Sequence, residues 1–297
     1  MTEPRLRIVQ LNVGSLLEPW WDQRRVEIVA WLRELDPDIA CFQEVWETAT
    51  SPNTAAWIAD ELGGGRQLAF GGGSHDPSMG RDPTLVFGSA VLSRWPIDSS
   101  DVTLLPLGDG DADDFVGKAP WELLHVRTAG LDVFSTHLAP APTDGHHRRQ
   151  QVLAIDERVR SVRADRDKVV FGQRRQEMPA ILCGDFNAEP DSDEIRFLSG
   201  LATLDGRTTF WQDAWKIAGD GGPGYTQDWR DNPIAAFLNV HRKRIDYVFV
   251  GDPFLRAGSA GRVLSARVVF DEPKTGIVAS DHRGLCVDVV WPEKASA

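Results

Sequence analysis

Asparagine, glutamate, histidine and aspartate recur at one kind of place in this sequence, the ends of short apolar runs. Asn12 closes IVQLN, Gln43 and Glu44 close DIACFQE, and His137 closes VFSTH. Asp185 and Asn187 follow AILCG in GDFNAEP, Asp246 opens DYVFV just after Arg244, and Asp281-His282 precede the last apolar run. A carboxylate at a buried strand end is costly unless it is paired or binds a cation. Gathered in one pocket, these side chains would make an oxygen-rich site of the kind that suits Mg²⁺ or Mn²⁺. His137 and His282 could then contact a phosphoryl group, and the combination fits metal-assisted phosphoryl hydrolysis. Taken singly, each residue has a plainer reading. Asn12 caps a turn, Glu44 is a surface residue past a strand, His137 is structural, and Asp246 pairs with Arg244. The joint placement is what argues for chemistry.

Such placement needs strands, and the sequence supplies them. Short runs rich in Val, Ile and Phe, bounded by Gly, Pro or Asp, occupy 5–13, 38–45, 85–93, 121–128, 131–138, 180–185, 245–250, 266–270 and 285–291. Helical spacing lies between some of them. Val26, Val29 and Leu32 share a face in 22–35, which Asp36-Pro37 ends. Val152, Ile155, Val159 and Val162 do the same in 145–165, and Asp191 with Glu194 reads as a capping box for 191–199. Strands alternating partly with helices and partly with each other imply a mixed sheet system covered by helices. No low-complexity linker or internal repeat divides the chain, so residues 1–297 are read as one domain. The loops 63–83, 106–120 and 219–244 are long enough to be candidates for shaping a substrate cleft.

Composition narrows the function classes. Lys plus Arg is 32 and Asp plus Glu is 44, a net charge of −12. Duplex-DNA binders that work by counterion release are usually basic, so the balance favours a compact phosphate ester over a long nucleic acid. Cys41, Cys183 and Cys286 form neither a disulfide framework nor a zinc motif. No apolar run is long enough for a membrane span, and the N-terminus has no signal-peptide pattern. A cytoplasmic monomer without integral membrane association is the expectation. Neither GxSxG nor a P-loop motif occurs. DGDADD at 109–114 imitates an EF-hand start, but Asp114 replaces the turn glycine and Pro120 the bidentate glutamate. HHRR at 146–149 reads as a solvated helix start, with phosphate contact the alternative, HRKR at 241–244 as a solvated loop beside Asp246 or a contact to substrate phosphate, and His125 as structural. Trp20, Trp21 and Trp229 lie in loop-like stretches that would suit a cleft wall.

The motifs LNV at 11–13, QE at 43–44, GSAVLSRWPI at 88–97, STHL at 135–138, GDFNAEPDS at 184–192, RIDYVFV at 244–250 and SDH at 280–282 cover nearly the whole chain. In that order they resemble the endonuclease/exonuclease/phosphatase superfamily of DNase I-like, metal-dependent phosphoesterases. The resemblance implies an α/β (α+β) fold, a four-layer α/β/β/α sandwich of two mixed β-sheets with outer helices. It implies a phosphodiesterase or nuclease with Mg or Mn as cofactor. Glu44 would be the principal metal ligand with Asn12 beside it, and Asp281 a further carboxylate on the metal side. Asp185 would orient or deprotonate the attacking water, with Asn187 holding the water or a phosphate oxygen. His282, its other N–H accepted by Asp246, would stabilise the transition state, and His137 would donate to a phosphate oxygen. Gly14 departs from members that carry an acidic residue there, which weakens the case for a second metal. GDFNAEP and HRKRIDYVF do not match inositol 5-phosphatases, and STHLAP looks more like the DNase I and sphingomyelinase branches. A phosphate-ester substrate is expected, with DNA or RNA as the alternative. A catalytically silent relative would be expected to lose Glu44, Asp185 or His282, and all three are present.

Overall fold

Strands buried on both faces read as continuous apolar runs, and that is how the central strands of this chain are built. The computed structural model describes residues 4–14, 18–74, 82–107, 120–170, 173–175, 177–235, 241–252, 254 and 256–291. The acidic stretch 109–114 lies outside them. The first half of the chain forms β1 (Arg5–Asn12), α1 (Trp21–Leu35), β2 (Ile39–Glu47), α2 (Thr54–Leu62), β3 (Gln67–Phe70), β4 (Gly73–Ser74), β5 (Val86–Ser93), β6 (Ile97–Leu104), β7 (Glu122–Thr128) and β8 (Leu131–His137). The second half forms α3 (Gly145–Arg163), β9 (Ile181–Asp185), α4 (Asp193–Leu198), β10 (Trp211–Asp213), α5 (Ala214–Ala218), β11 (Asp246–Gly251), β12 (Val263–Val269) and β13 (Gly284–Val290).

Two mixed sheets result. The first has the order β12-β13-β1-β2-β5-β3, with β4 also on β5, and the second has the order β10-β11-β9-β8-β7-β6. One parallel pair lies at the centre of each, β1 with β2 and β8 with β9, and the other pairings are antiparallel. Side chains of both sheets, among them Leu6, Ile8, Val91, Leu124, Val133 and Val248, interlock in the central core. A second core, with Ile28, Leu32 and Ile58, lies under α1 and α2; a third, with Val152, Ile155 and Phe197, lies under α3 and α4. The layers are therefore helix, sheet, sheet, helix, as the resemblance implies.

Some local expectations need correction. Val26 is 48% exposed, so α1 packs through Ile28, Val29 and Leu32 instead. The capping box does not form: α4 begins after Ser192, and Glu194 turns to Arg148 Nε at 3.1 Å. HHRR is no solvated face, because His147 and Arg148 are buried and Arg148 Nη1 donates to the carbonyls of Ala139 and Ala141. His125 is structural, held between Asp101 at 2.9 Å and the fully buried Asp132 at 3.1 Å. Strands β3, β4, β6 and β10 and helices α2 and α5 were not anticipated. β6 is an edge strand with a polar, mostly exposed sequence, so it carries no apolar signature. In α2 the signal was present: the Asn53 side chain caps the helix by accepting from the Ala55 and Ala56 N–H groups.

Candidate functional site

Register brings the polar strand ends together. Asn12 stands beside Gln43 across β1 and β2, and His137 beside Asp185 across β8 and β9. β11 runs antiparallel to β9, so its first residue, Asp246, lies opposite Asp185. β13 runs antiparallel to β1 with Leu285 opposite Gln10, which brings the preceding Asp281 and His282 to the same end of the sandwich.

Glu44 arrives there through an irregularity. Phe42 pairs with Ala90 and Val45 with Gly88, so Gln43 and Glu44 together oppose Ser89. A bulge of this kind re-aims a side chain, and Glu44 adopts a φ of 58°. That backbone region costs a non-glycine residue about 1–3 kcal/mol, and hydrogen bonds hold it. Asn12 Nδ2 donates to Glu44 Oε1 at 3.0 Å and to Asp185 Oδ2 at 3.1 Å, while Asn12 Oδ1 accepts from the Gly14 N–H at 3.0 Å. Gly14 itself has φ 67°, and a Cβ there would lie 2.9 Å from Arg24 Nη1 and 3.3 Å from Asp281 Oδ1. A side chain at this position would be strained by the backbone and would press on Arg24 and Asp281.

On the other side of the cleft the Asn187 backbone, also at positive φ, donates its N–H to Asp185 Oδ1 at 2.8 Å. Its Nδ2 donates to the Leu138 carbonyl at 3.0 Å and to His137 Nε2 at 3.1 Å. His282 Nδ1 donates to Asp246 Oδ2 at 2.8 Å, and its Nε2 lies 3.7 Å from Asp185 Oδ2 and 3.9 Å from Asp281 Oδ2. Behind this pair, Gln10 Nε2 donates to Asp246 Oδ1 and to Gln43 Oε1, and Gln43 Nε2 donates to Ser135 Oγ. This buried amide relay ties the two sheets together under the site.

The charges follow from the geometry. Burial, reinforced by the nearby Asp281 charge, pushes Glu44 up to about 7. Burial with the charges of Glu44 and Asp281 pushes Glu18 up to about 8. Asp185 is raised, burial and Asp246 outweighing the help of His282 and His137. Burial alone would lower His282, but the charges of Asp246, Asp281 and Asp185 prevail and hold it well above the ordinary imidazole value. For His137 burial wins, and its pKa is lowered. Glu18, Glu44 and Asp281 thus crowd negative charge on one side, a donor set that a divalent cation would relieve. Asp185, Asp246 and His282 also place one ligand atom each within 4.8 Å of one another. Both Asp246 oxygens and His282 Nδ1 are already hydrogen-bonded, so this trio is better suited to orienting and charging the histidine than to caging a metal.

Residue reasoning missed several supports. Arg24, fully buried in α1, donates from Nη1 to the carbonyls of Val13 and Ala279 and from Nε to that of Pro19, stapling the loop after β1 to the one before β13. Gln10 and Glu122 were also overlooked, although each is a polar residue inside an apolar strand run, which is a readable signal. The plainer reading of Asp246 fails, because Arg244 pairs with Asp213 at 2.8 Å and stacks on Tyr247. Within HRKR, His241 meets Glu189 and Arg242 lies over Tyr225. Trp21 packs against the core under α1, whereas Trp20 is exposed.

Comparison with known proteins agrees with this fold. The model of the family described as the Endonuclease/Exonuclease/phosphatase family matches residues 9–282. No curated protein matches the chain. Among solved structures, TDP2 of D. rerio complexed with a single-strand DNA product is 18% identical, covering 96% of this chain and 98% of that one, with a TM-score of 0.67. The human Nocturnin catalytic domain with bound sulfate is 19% identical, covering 96% and 93%, at 0.65. An endonuclease/exonuclease/phosphatase protein from Beutenbergia cavernae is 23% identical, covering 99% and 73%, at 0.64. At these identities the likeness is one of fold. Among the described residues no helix is long and apolar enough to cross a membrane.

Proposed function

The chain belongs to the endonuclease/exonuclease/phosphatase family, and from that premise we propose that it is a divalent-metal-dependent phosphodiesterase that hydrolyses its substrate by in-line attack of an activated water. The observation that carries the reading is the buried Asp246–His282 pair, 2.8 Å long, with His282 Nε2 turned toward Asp185 beside the Glu44–Asp281 carboxylates. Glu44 and Asp281 would hold Mg²⁺ or Mn²⁺, with Asn12 fixing Glu44 beside it. When bound, the cation supplies positive charge to the non-bridging phosphate oxygens. Asp185, raised by burial yet flanked by two histidines, takes the proton of the attacking water. Asn187 fixes Asp185 through its backbone N–H and, with both side-chain N–H groups engaged by Leu138 and His137, offers its Oδ1 to the attacking water. His282, kept protonated by Asp246, donates to the oxygen where charge grows. His137, once Nε2 is protonated, would supply a second donor from the opposite wall.

The substrate class we propose is a compact phosphodiester, in keeping with the net charge of −12. The test is a panel of bis-p-nitrophenyl phosphate, single- and double-stranded DNA, RNA, abasic DNA, sphingomyelin and phosphomonoesters, each with Mg²⁺, Mn²⁺ or EDTA. Cation-dependent cleavage of a diester supports the reading. Absence of turnover on the whole panel, with phosphate esters still bound, would identify a silent binding protein instead.

A further inference from the structure

Each member of the Asp246–His282 pair has an arginine close by in sequence. Arg242 stands four positions before Asp246, and Arg283 directly follows His282. Both line a cavity of about 320 Å³ between edge strand β12 and helix α5, which they share with Trp215, Gly224, Tyr225 and Asp228. That volume is at the low end of small-ligand pockets, room for one small group with its waters.

The wall of the cavity is also the support of the pair. Gly224 has φ 66°, and a Cβ there would lie 2.4 Å from Trp215 Cε2, so glycine lets the chain lie flat on the indole. Two residues on, Thr226 Oγ1 accepts the Ile245 and Asp246 N–H groups at 3.1 and 3.2 Å, and its carbonyl accepts the Arg283 N–H at 2.6 Å. Tyr225 and Asp228, on either side of Thr226, line the cavity.

Arginines elsewhere in the chain spend their donors. Arg148 reaches Glu194 and two carbonyls, Arg163 reaches Asp132, Asp167 and the Met178 carbonyl, and Arg244 pairs with Asp213. Arg242 and Arg283 do not. Their side chains are 38% and 20% exposed, yet among the described residues neither guanidinium donates a hydrogen bond. Their ion pairs are long: both reach Asp228 Oδ2 at 3.6 Å, and Arg283 reaches the exposed Asp231 at 3.9 Å. One buried carboxylate cannot neutralise two guanidiniums, so one positive charge remains at the cavity. The other carboxylates on its wall, Asp220 and Asp271, are exposed and screened by solvent. Arg242 is held in place over the Tyr225 ring, 4.6 Å from its centroid. Each guanidinium offers five donors in a planar fork that matches a carboxylate or phosphate.

We propose that Arg242 and Arg283 form an anion subsite that takes a phosphoryl or carboxylate group beside the Asp246–His282 pair. The group is either a second anionic group of the substrate, which rests on the hydrolase reading, or a separate phosphate.

The test is a titration of the metal-free protein, kept in EDTA, with inorganic phosphate. The chain has two tyrosines, Tyr225 on the cavity wall and Tyr247 in the core. Fluorotyrosine labelling therefore gives two ¹⁹F resonances, assigned with Tyr225→Phe. The Tyr225 resonance is expected to shift to saturation. Arg283→Gln should raise the midpoint on the order of tenfold, the worth of a lost charge-assisted contact. Asp228→Asn frees both guanidiniums and should lower the midpoint, a change of opposite sign that loosened packing would not produce. A Tyr225 resonance indifferent to phosphate, or one midpoint shared by the wild type and both variants, overturns the proposal. Turnover of bis-p-nitrophenyl phosphate and of a p-nitrophenyl diester carrying a second phosphate separates the two sources. If the anion belongs to the substrate, the KM advantage of the phosphate-bearing diester shrinks in Arg283→Gln. If it is a separate phosphate, added phosphate alters turnover of both diesters alike, and Arg283→Gln abolishes that response. Absence of turnover on either diester sinks the hydrolase reading, and the Tyr225 titration decides the subsite by itself.

Discussion

Replacing Asp246 by Asn removes one charge while keeping the shape of a side chain that is fully buried. The change is tolerable to the fold, because the Gln10 and Gln43 amides behind it can turn over together: Gln10 Oε1 then accepts from the new NH₂ and from Gln43, and Ser135 Oγ donates to Gln43. The cost falls on His282. Its Nδ1 lies 2.8 Å from Asp246 Oδ2, which puts the two charge centres about 4 Å apart; at an effective dielectric of about 20 that attraction is about 4 kcal/mol. Lost from a transition state that needs the imidazolium, it corresponds to about a thousandfold, inside the 10²–10⁴ range of a positioned acid–base group. The wild-type His282 pKa lies well above its unfolded value. Its protonated form therefore contributes stability that is complete below about pH 6.5 and lost as pH rises through the folded pKa. In Asp246→Asn that window shrinks, and the alkaline limb of kcat/KM moves to lower pH. The assay is kcat/KM against pH on bis-p-nitrophenyl phosphate at saturating Mg²⁺, with Asp185→Asn in parallel. Asp185→Asn should lose activity through the nucleophile and alter the acidic limb. An alkaline limb that stays in place in Asp246→Asn refutes the reasoning.

Mg²⁺ at a hundred times its dissociation constant should stabilise the protein by about 2.7 kcal/mol, read as a rise in Tm, and Glu44→Gln should reduce both that rise and turnover at limiting Mg²⁺. An undiminished rise would remove Glu44 from the cation site. Arg24→Met strips donors from three loop carbonyls and leaves Glu44 and Asp281 less compensated, so chemical denaturation should show a loss of about 3 kcal/mol; a loss below 1 kcal/mol would mean the staple is dispensable. For a compact substrate KM should climb only gently with salt. A steep slope on duplex DNA, abolished by neutralising Arg242 and Lys243, would point to a nucleic-acid groove.

The strand ends were legible because a buried strand tolerates a polar terminus only for a reason, and Asn12, His137, Asp185, Asp246 and His282 each sit within a few residues of a strand end. The layers were legible for the same cause, long apolar runs of β character between helical spacings. What stayed hidden depends on the third dimension. The Gln43–Glu44 bulge is defined by its opposition to Ser89 on another strand, and no periodicity within β2 announces it. Arg24 reads as one more charged helix residue until the loops it binds are folded over it. The capping box at Asp191 was a correct local pattern overruled by Arg148, which offers Glu194 a buried ion pair from another helix. Edge strand β6 shows the converse, a strand imposed by its neighbour β7 on a sequence with little apolar pattern of its own.

The pairing of β1 with β13 joins Arg5 to Val290, so β1 is synthesised long before one of its two neighbours. Until then β1 and β2 present an apolar edge with Leu6, Ile8 and Leu11 unsheltered on that side, the type of surface that invites association with other chains. Contacts this distant along the chain also slow the search for the native state. The same arrangement acts as an interlock. Glu44 and Asp185 precede Asp281 and His282 in the chain, and the latter join them only when β13 pairs with β1, so the polar cluster assembles only once β13 is in place.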